Sequence, residues 1–187
     1  YLPKLEEYTH PVFLRPRRFG KSLFTETLRY YYDIKYAGEF EQLFGKLWIG
    51  KNPTPNRNKY YFLALNFSGM GTHAKEDETK LRDVFSQHLN NSFIKFLNYY
   101  SDLLEIDATY IKDFENEFKR NASSGIQRIS DIVDNKGGKM FIAIDEYDSL
   151  TNAMALYYQY APKDEHPYLD VLKSSGFFRS FFETLKN

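Results

Sequence analysis

Residues 10–32 read HPVFLRPRRFGKSLFTETLRYYY, and this stretch decides the fold. Near its start, Val12 to Leu14 form an apolar run that is too short for a helix and is typical of a buried parallel strand. After Ser22, apolar residues return at helical spacing, at Leu23, Phe24, Leu28 and Tyr31. The sequence therefore predicts a strand, a turn and a helix in immediate succession.

The turn between this strand and this helix has most of the pattern of a Walker A phosphate-binding loop. In such a loop a Gly lets backbone N–H groups approach phosphate oxygens, a Lys reaches the β- and γ-phosphates, and a Ser or Thr hydroxyl binds Mg²⁺. Gly20, Lys21 and Ser22 supply these three, and the helix N-terminus adds a dipole that favours anions. Arg15 stands where the usual pattern has its first Gly, so a basic surface turn that caps a helix is the alternative.

A second motif, KMFIAIDEYDSL at residues 139–150, has the pattern of a Walker B strand. Met140 to Ile144 predict a buried strand that ends in the adjacent carboxylates Asp145 and Glu146. Asp145 can bind Mg²⁺ through water, and Glu146 can orient or deprotonate an attacking water. Two neighbouring carboxylates repel and are tolerated best beside a cation, which favours a metal here over an ordinary strand that ends in an acidic turn.

With these two motifs the chain resembles the predicted AAA-ATPase-like proteins of bacteria, whose loop reads RPRRFGK followed by Ser or Thr and whose second motif reads IDEYD. The same strings stand here at Arg15 to Ser22 and at Ile144 to Asp148. The missing first Gly is the rule in that family. The resemblance spans nearly the whole chain and implies an α/β fold, a three-layer P-loop NTPase sheet with helices on both faces, similar to the additional-strand P-loop ATPases. Many members carry a nuclease-like domain of the PD-(D/E)xK type further on, and none is visible in these residues.

The same resemblance implies a core strand that lies between the Walker A and Walker B strands and comes later in the sequence. After Ile144 the sequence predicts only irregular segments and a helix from Tyr168 to Lys186. We therefore expect residues 1–187 to be the N-terminal part of a single P-loop ATPase domain, incomplete because later core strands are absent from this chain. Tyr1 in place of a start methionine fits a fragment.

Between the two motifs the sequence predicts one strand and several helices. The strand is YYFLALNFSGM at 60–70, where Asn66 and Ser68 are interpreted as capping residues of the strand end rather than as ligand contacts. The helices are predicted at 37–48, at 78–104 with a break near Asn90-Asn91, at 107–119 and at 126–134. A loop rich in Pro and Asn is predicted at 51–59, and Gly137-Gly138 is expected to stop the last helix.

Composition excludes several classes of partner. Lys plus Arg equals Asp plus Glu at 25 each, so no global field attracts nucleic acid or an acidic membrane. Binding of nucleic acid is expected only through a C-terminal domain outside this chain. The sequence has no cysteine, no secretory signal and no apolar run near the roughly 20 residues of a membrane span, which favours a cytoplasmic location. The four histidines lack metal-ligand spacing, and the aromatic residues, 18% of the chain, recur at helical spacing that favours packing over base stacking.

The expected function is binding of ATP with Mg²⁺ and hydrolysis that drives a conformational change, with Lys21 and Glu146 as catalytic residues. Ser22 and Asp145 are the expected metal ligands. The expected nucleotide-binding residues are Arg17, Arg18, Phe19, Gly20, Lys21, Ser22 and Leu23. Adenine is favoured because the guanine-recognition motifs of GTPases are absent.

Two alternatives remain open at this level. Arg17 and Arg18 could contact nucleotide phosphates, reach a neighbouring subunit of a homo-oligomer or another protein partner, or be solvated. The chain could also be a nucleotide-binding switch or interaction module with little turnover, attached to a nuclease-like domain. Steady-state hydrolysis compared with binding affinity separates this reading from the ATPase reading.

Overall fold

The computed structural model describes residues 1–13, 19–68, 78–146, 149, 152 and 181–185, with the side chains of 78–81 left aside. The protein is α/β, and within the described residues β1 (Tyr60–Asn66) and β2 (Lys139–Asp145) form a small parallel sheet. The helices are α1 (Leu2–Leu5), α2 (Lys21–Tyr32), α3 (Phe40–Phe44), α4 (Trp48–Lys51), α5 (Glu78–Tyr99), α6 (Ser101–Leu104), α7 (Ala108–Phe118) and α8 (Ala122–Asn135). A 3₁₀ helix, Ile34–Glu39, precedes α3. None of the described helices combines the length and apolar character needed to cross a membrane.

The chain divides into two compact units, of which the first comprises residues 1–62 and 138–143. Its core is an aromatic cluster in which the ring of Phe141 on β2 stacks on Phe62 of β1, with centroids 5.2 Å apart, and on Tyr32 of α2, with centroids 4.8 Å apart. Tyr31 of α2 packs edge-on against Phe44 of α3 at 5.5 Å. Stacked and edge-on aromatic pairs add specific geometry to apolar burial. The carboxyl-terminal half of α2 is therefore held by this cluster, and half-buried Phe24 of its first turn packs against the same cluster.

Glu6, just after α1, joins three parts of the first unit through one carboxylate. It accepts hydrogen bonds from the Tyr32 hydroxyl at 2.9 Å, the Thr54 hydroxyl at 2.7 Å and the Asn56 side-chain amide at 2.9 Å. Burial, and secondly this bond to Glu6, raise the pKa of Tyr32 well above its ordinary value. The carboxylate thereby ties the region of α1 to α2 and to the loop that precedes β1.

The second unit comprises residues 63–137 and 144–187, and its described core is mostly helical, with Leu63 and Leu65 of β1 also buried in it. In it α5 packs against α7 and α8. The helices meet closely at Gly125 of α8, where an added Cβ would lie 3.2 Å from a ring carbon of Phe93 and 3.3 Å from the Cβ of Phe118. The buried residues at this junction are Phe93, Leu97, Phe114, Ile126, Ile129 and Val133. Their spacing is the helical period read from the sequence, so the predicted packing faces of α5, α7 and α8 are confirmed.

Helix α5 runs without interruption through Asn90 and Asn91, so the predicted break there is wrong. Asn90 is only 4% exposed, and its side-chain amide donates to the carbonyl of Glu115 at 3.4 Å. Its Oδ1 has no hydrogen-bond partner among the described residues. Asparagine is a weak helix former, but packing of apolar residues on both sides of it outweighs that local preference.

The expected strand at Val12 to Leu14 is not found at its two described residues. Residues 11–13 have no regular secondary structure, Val12 is 83% exposed, and Leu14 lies outside the described residues. Phe13 instead stacks its ring on Phe24 of α2, with centroids 4.3 Å apart. The physical reason is that a strand exists only with a paired neighbour, and Pro11 offers no N–H for a ladder.

Several predicted helices differ from the structure in extent. The helix predicted at 78–104 is divided at Tyr100 into α5 and α6, and the helix predicted at 126–134 begins earlier, at Ala122. The segment at 37–48 forms the end of the 3₁₀ helix, α3 and the start of α4, because Gly38 and Gly45 interrupt it with poor helix propensity. Phe40 and Phe44 are buried as predicted, whereas Leu43 and Leu47 are exposed. Of the helix predicted at 168–186, residues 181–184 are helical and Phe181 is buried, and the preceding residues lie outside the described part.

Candidate functional site

The glycine of the first motif has a backbone conformation that suits a phosphate-binding turn. Gly20 lies at φ 78° and ψ 23°, in the left-handed region, immediately before α2. Its carbonyl accepts the first helical hydrogen bond, from the N–H of Phe24 at 2.9 Å. Because this conformation is costly for a residue with a Cβ, the glycine lets the chain turn directly into the helix.

Lys21 and Ser22 are the first two residues of α2, where backbone N–H groups have no acceptor within the helix. Lys21 is half-buried, its carbonyl accepts from the Thr25 hydroxyl at 3.2 Å, and Ser22 is exposed. The positive end of the dipole of a 12-residue helix thus coincides with a lysine and a hydroxyl. This combination suits a bound phosphate group.

The other residues expected at this motif are exposed or lie outside the described part of the chain. Phe19 is 66% exposed and Leu23 is 74% exposed. The inward face of α2 follows Phe24, Leu28 and Tyr31, and Leu23 precedes that face by one residue. Arg15, Arg17 and Arg18 are not among the described residues.

The second motif places its two carboxylates at the end of β2. Asp145 is the last residue of the strand, and one of its carboxylate oxygens, Oδ1, accepts from the N–H of Glu146 at 2.9 Å. Glu146 has a positive φ of 56°, and its carbonyl accepts from the N–H of Ser149 at 2.9 Å. A left-handed conformation costs a residue other than glycine about 1–2 kcal/mol, so these hydrogen bonds maintain a strained turn.

Strand β2 is less buried than the sequence predicted. Met140 to Ala143 are half-buried and Ile144 is 39% exposed. A strand inside a parallel sheet with helices on both faces would be almost fully buried. The difference follows from the small sheet, since β1 is the neighbour that β2 has within the described residues.

In the second unit, the end of β1 contacts the main chain of Asp145 on one side and helix α5 on the other. The N–H of Phe67, one residue beyond β1, donates to the carbonyl of Asp145 at 3.1 Å. The buried ring of Phe67 stacks on Phe85 with centroids 5.6 Å apart and on His88 with centroids 6.1 Å apart. The Nε2 of His88 hydrogen-bonds to the carbonyl of Asn66.

At the end of β1 the side chain of Asn66 caps the strand, as predicted, and Ser68 takes part through its backbone N–H. The side-chain oxygen of Asn66 accepts from the N–H of Ser68 at 2.8 Å, which closes a local turn. His88, by contrast, was missed as a residue of this region. Its contact joins positions 22 residues apart, so neither motif spacing nor periodicity carried a signal for it.

The donor chemistry of the predicted ligands fits Mg²⁺ and a nucleoside triphosphate. A hydroxyl from Ser22 and a carboxylate from Asp145 are hard oxygen donors, the type that Mg²⁺ prefers. Across the described ranges no three His, Asp or Glu side chains gather into a possible metal site, so an all-protein cage is not formed there. Mg²⁺ in nucleotide sites commonly uses one or two protein ligands and completes its shell with phosphates and water.

A left-handed glycine and a lysine that open a helix, together with a strand that ends in an acidic pair, are typical of P-loop proteins. The model of the AAA-ATPase-like family, described as Predicted AAA-ATPase, matches residues 1–187. The chain belongs to this family, which confirms the membership inferred from its motifs. A search of curated proteins and a search of solved structures found no match.

Proposed function

We propose that this protein binds ATP together with Mg²⁺ and hydrolyses ATP to drive a conformational change. The observation that carries this proposal is the left-handed Gly20 directly before α2, whose first residues are Lys21 and Ser22. The proposal is also supported by the match of the Predicted AAA-ATPase family model to all 187 residues. A basic turn that merely caps a helix would need neither the glycine conformation nor the lysine at this position.

In this proposal the start of α2 binds the phosphates. The ammonium group of Lys21 contacts the β- and γ-phosphate oxygens, and the first N–H groups of the helix approach the same oxygens because Gly20 presents no side chain. Phe19 and Leu23 flank this turn and contact the nucleotide. Arg17 and Arg18 are assigned to the same loop, where guanidinium groups would bind phosphate or a neighbouring subunit.

Asp145 and Ser22 are the proposed metal ligands, and Glu146 is the proposed residue for the attacking water. When bound, Mg²⁺ would neutralise charge on the phosphate oxygens. The Glu146 carboxylate would accept a hydrogen bond from the water and orient it toward the γ-phosphate. Its neighbour Asp145 keeps Oδ1 in contact with the Glu146 N–H, which orients the two carboxylates relative to each other.

The proposed architecture is a three-layer P-loop sheet of which residues 1–187 form the N-terminal part. The half-buried strand β2 supports this, because a Walker B strand needs cover on both faces and a second neighbour. The proposed second neighbour is a strand later in the domain. A structure of a longer protein in which Val12 to Leu14 pair directly with Met140 to Ile144 would contradict this topology.

Calorimetry on the intact protein tests the binding proposal. Titrations with ATP plus Mg²⁺, with ATP plus a chelator and with inorganic phosphate should rank in that order of affinity, because the full site recognises both metal and triphosphate. Equal affinity for inorganic phosphate and ATP would favour the basic turn. Phosphate release under saturating ATP tests hydrolysis, and tight binding without release would replace the ATPase by a nucleotide-binding switch.

A further inference from the structure

We infer that His88 of α5 is a positioning residue for the acidic pair Asp145 and Glu146. The inference rests on the proposed function, because it assigns His88 to the geometry of the proposed metal and water site. It is carried by four contacts within the second unit that lead from the imidazole to both carboxylates.

The first contact connects α5 to the end of β1. The His88 Nε2–H donates to the carbonyl of Asn66, the last residue of the strand. Asn66 uses its side chain separately, to accept from the N–H of Ser68. Its carbonyl is therefore bound by a helix 22 residues further along the chain, while its side chain serves only the local turn. His88 thereby sets where β1 ends relative to α5.

Through the second contact, His88 also fixes the position of Phe67. The imidazole lies over the phenyl ring of Phe67 with an interplanar angle of 29°, and Phe85 stacks on the same ring at 10°. Phe67 is fully buried, so its ring cannot move without displacing one of these neighbours. A ring fixed in this way also fixes the backbone N–H of the same residue.

The remaining contacts reach the carboxylates. The Phe67 N–H donates to the Asp145 carbonyl, and the Oδ1 of Asp145 accepts from the N–H of Glu146, which has a strained backbone. A strained conformation persists only where its surroundings determine it strongly. Loss of the His88 donor would loosen the end of β1 and, through Phe67, the backbone that aims both carboxylates. Since His88 contacts only backbone and a ring in this chain of contacts, its role is to position rather than to react.

Two substitutions separate the two contributions of the imidazole, its hydrogen-bond donor and its ring. His88→Phe keeps a ring over Phe67 and removes the donor, whereas His88→Gln keeps a donor and removes the ring. His10→Phe, at an exposed histidine of the first unit, is the matched control. Each variant of the intact protein is measured for kcat, KM for ATP, the Mg²⁺ concentration at half-maximal rate, ATP affinity without Mg²⁺, and thermal unfolding.

We expect His88→Phe to lower kcat and raise the required Mg²⁺ concentration by about 10-fold, the usual scale for partners that orient a metal ligand. ATP affinity without Mg²⁺ should stay at the parental value, because Lys21 and the start of α2 are unchanged. His88→Gln should recover a large part of both losses. A purely structural role would move thermal unfolding alone, so parental kcat and Mg²⁺ dependence in His88→Phe would overturn the inference.

A measurement on the parent protein covers the case in which the variants fold poorly. Addition of Mg²⁺ with a non-hydrolysable ATP analogue should shift the NMR signals of the His88 ring nitrogens and leave those of His10 unchanged. An unchanged His88 signal on saturation with the analogue would also overturn the inference. Absence of ATP turnover in the parent at every Mg²⁺ concentration would instead remove the proposed function, and with it the basis of this inference.

Discussion

Gly20 and Glu146 each turn the chain at positive φ beside a proposed catalytic element, yet the two turns differ in the free-energy cost of their backbone conformation. Gly20 at φ 78° adopts a conformation that costs glycine nothing. Glu146 at φ 56° adopts one that costs about 1–2 kcal/mol, and the Oδ1 of Asp145 and the N–H of Ser149 bind its backbone. A glycine at the second turn would be more stable. In the proposed function, the carboxylate of Glu146 orients the attacking water.

Glu105 provides an internal reference for this comparison. It also has a positive φ, 55°, where it follows α6, and its carboxylate forms an ion pair with Lys136 at 2.6 Å. Its side chain is largely exposed and belongs to no motif. Glu105 therefore carries the same backbone strain as Glu146 without a proposed chemical role, and it serves as the control for substitutions at the acidic turn.

The largest expected effect is on turnover in Glu146→Gln. The amide keeps the shape of the side chain but is a poor acceptor for the proton of an attacking water, so kcat should fall about 100-fold or more. ATP affinity should stay within a few-fold of the parent, since Asp145 and Ser22 remain. Phosphate release and a fluorescent ATP analogue measure the two quantities. Glu105→Gln should match the parent, and parental turnover in Glu146→Gln would remove Glu146 from the site.

The next effect concerns binding at the glycine turn. Lys21→Ala removes a charge-assisted contact to phosphate and should weaken ATP binding about 10-fold or more, since such bonds contribute about 1.5–3 kcal/mol. Lys46→Ala, at an exposed lysine of the same unit, is the matched control and should bind like the parent. The measurement is titration with the same fluorescent analogue. Unchanged affinity in Lys21→Ala would mean that the start of α2 does not bind the phosphates.

A smaller effect is expected on stability when the glycine turn gains a side chain. Gly20→Ala should lower the free energy of unfolding by about 1 kcal/mol, because alanine disfavours the left-handed conformation. Gly38→Ala is the matched control: an added Cβ meets nothing within 4 Å there, and this glycine is not at positive φ. Urea denaturation measures both variants. Equal stability of Gly20→Ala and the parent would show that the turn relaxes at no cost.

The smallest effect, and the most direct test of the comparison, is a gain in stability. Glu146→Gly relieves backbone strain in the folded state but increases the conformational entropy of the unfolded chain. The free energy of unfolding should therefore be about 0.5 kcal/mol higher than in the parent. Turnover should be lost at the same time. Glu105→Gly relieves similar strain and should keep full turnover. A less stable Glu146→Gly protein would mean that the glutamate side chain, and not its backbone, stabilises this turn.

The helices could be predicted from the sequence because the signals that define a helix lie within a few residues of one another. The apolar period of α7 and α8, the Asp107 and Asn121 side chains that cap them, and Gly137 at φ 66° after α8 all act within a few residues. The strand predicted at Val12 to Leu14 failed at its described residues for the opposite reason. A strand forms only when it pairs with another segment, and the sequence of one short apolar run does not show whether such a partner is present.

The candidate site was predictable only in its motifs. Gly20, Lys21, Asp145 and Glu146 could be read from two short strings. The bond between His88 and Asn66 and the bonds of Glu6 to Thr54 and Asn56 could not, since they join segments 22 to 50 residues apart through side chains with no distinctive spacing. Long-range polar contacts of this kind depend on the completed packing.

The side-chain oxygen of Asn90, unbonded within the described part of the chain, has a consequence for hydrogen exchange. A buried acceptor without a partner costs about 1–3 kcal/mol. For Asn90, which has no partner among the described residues, that cost falls in the middle of α5, the longest of the described helices. Opening of this turn would let water reach the amide, so part of the cost is recovered whenever the turn opens. The centre of α5, which carries His88, should therefore open more often than the centre of α8. Its amide protons should exchange with deuterium before those around Ile129, although Asn90 and Ile129 are both buried in the folded state.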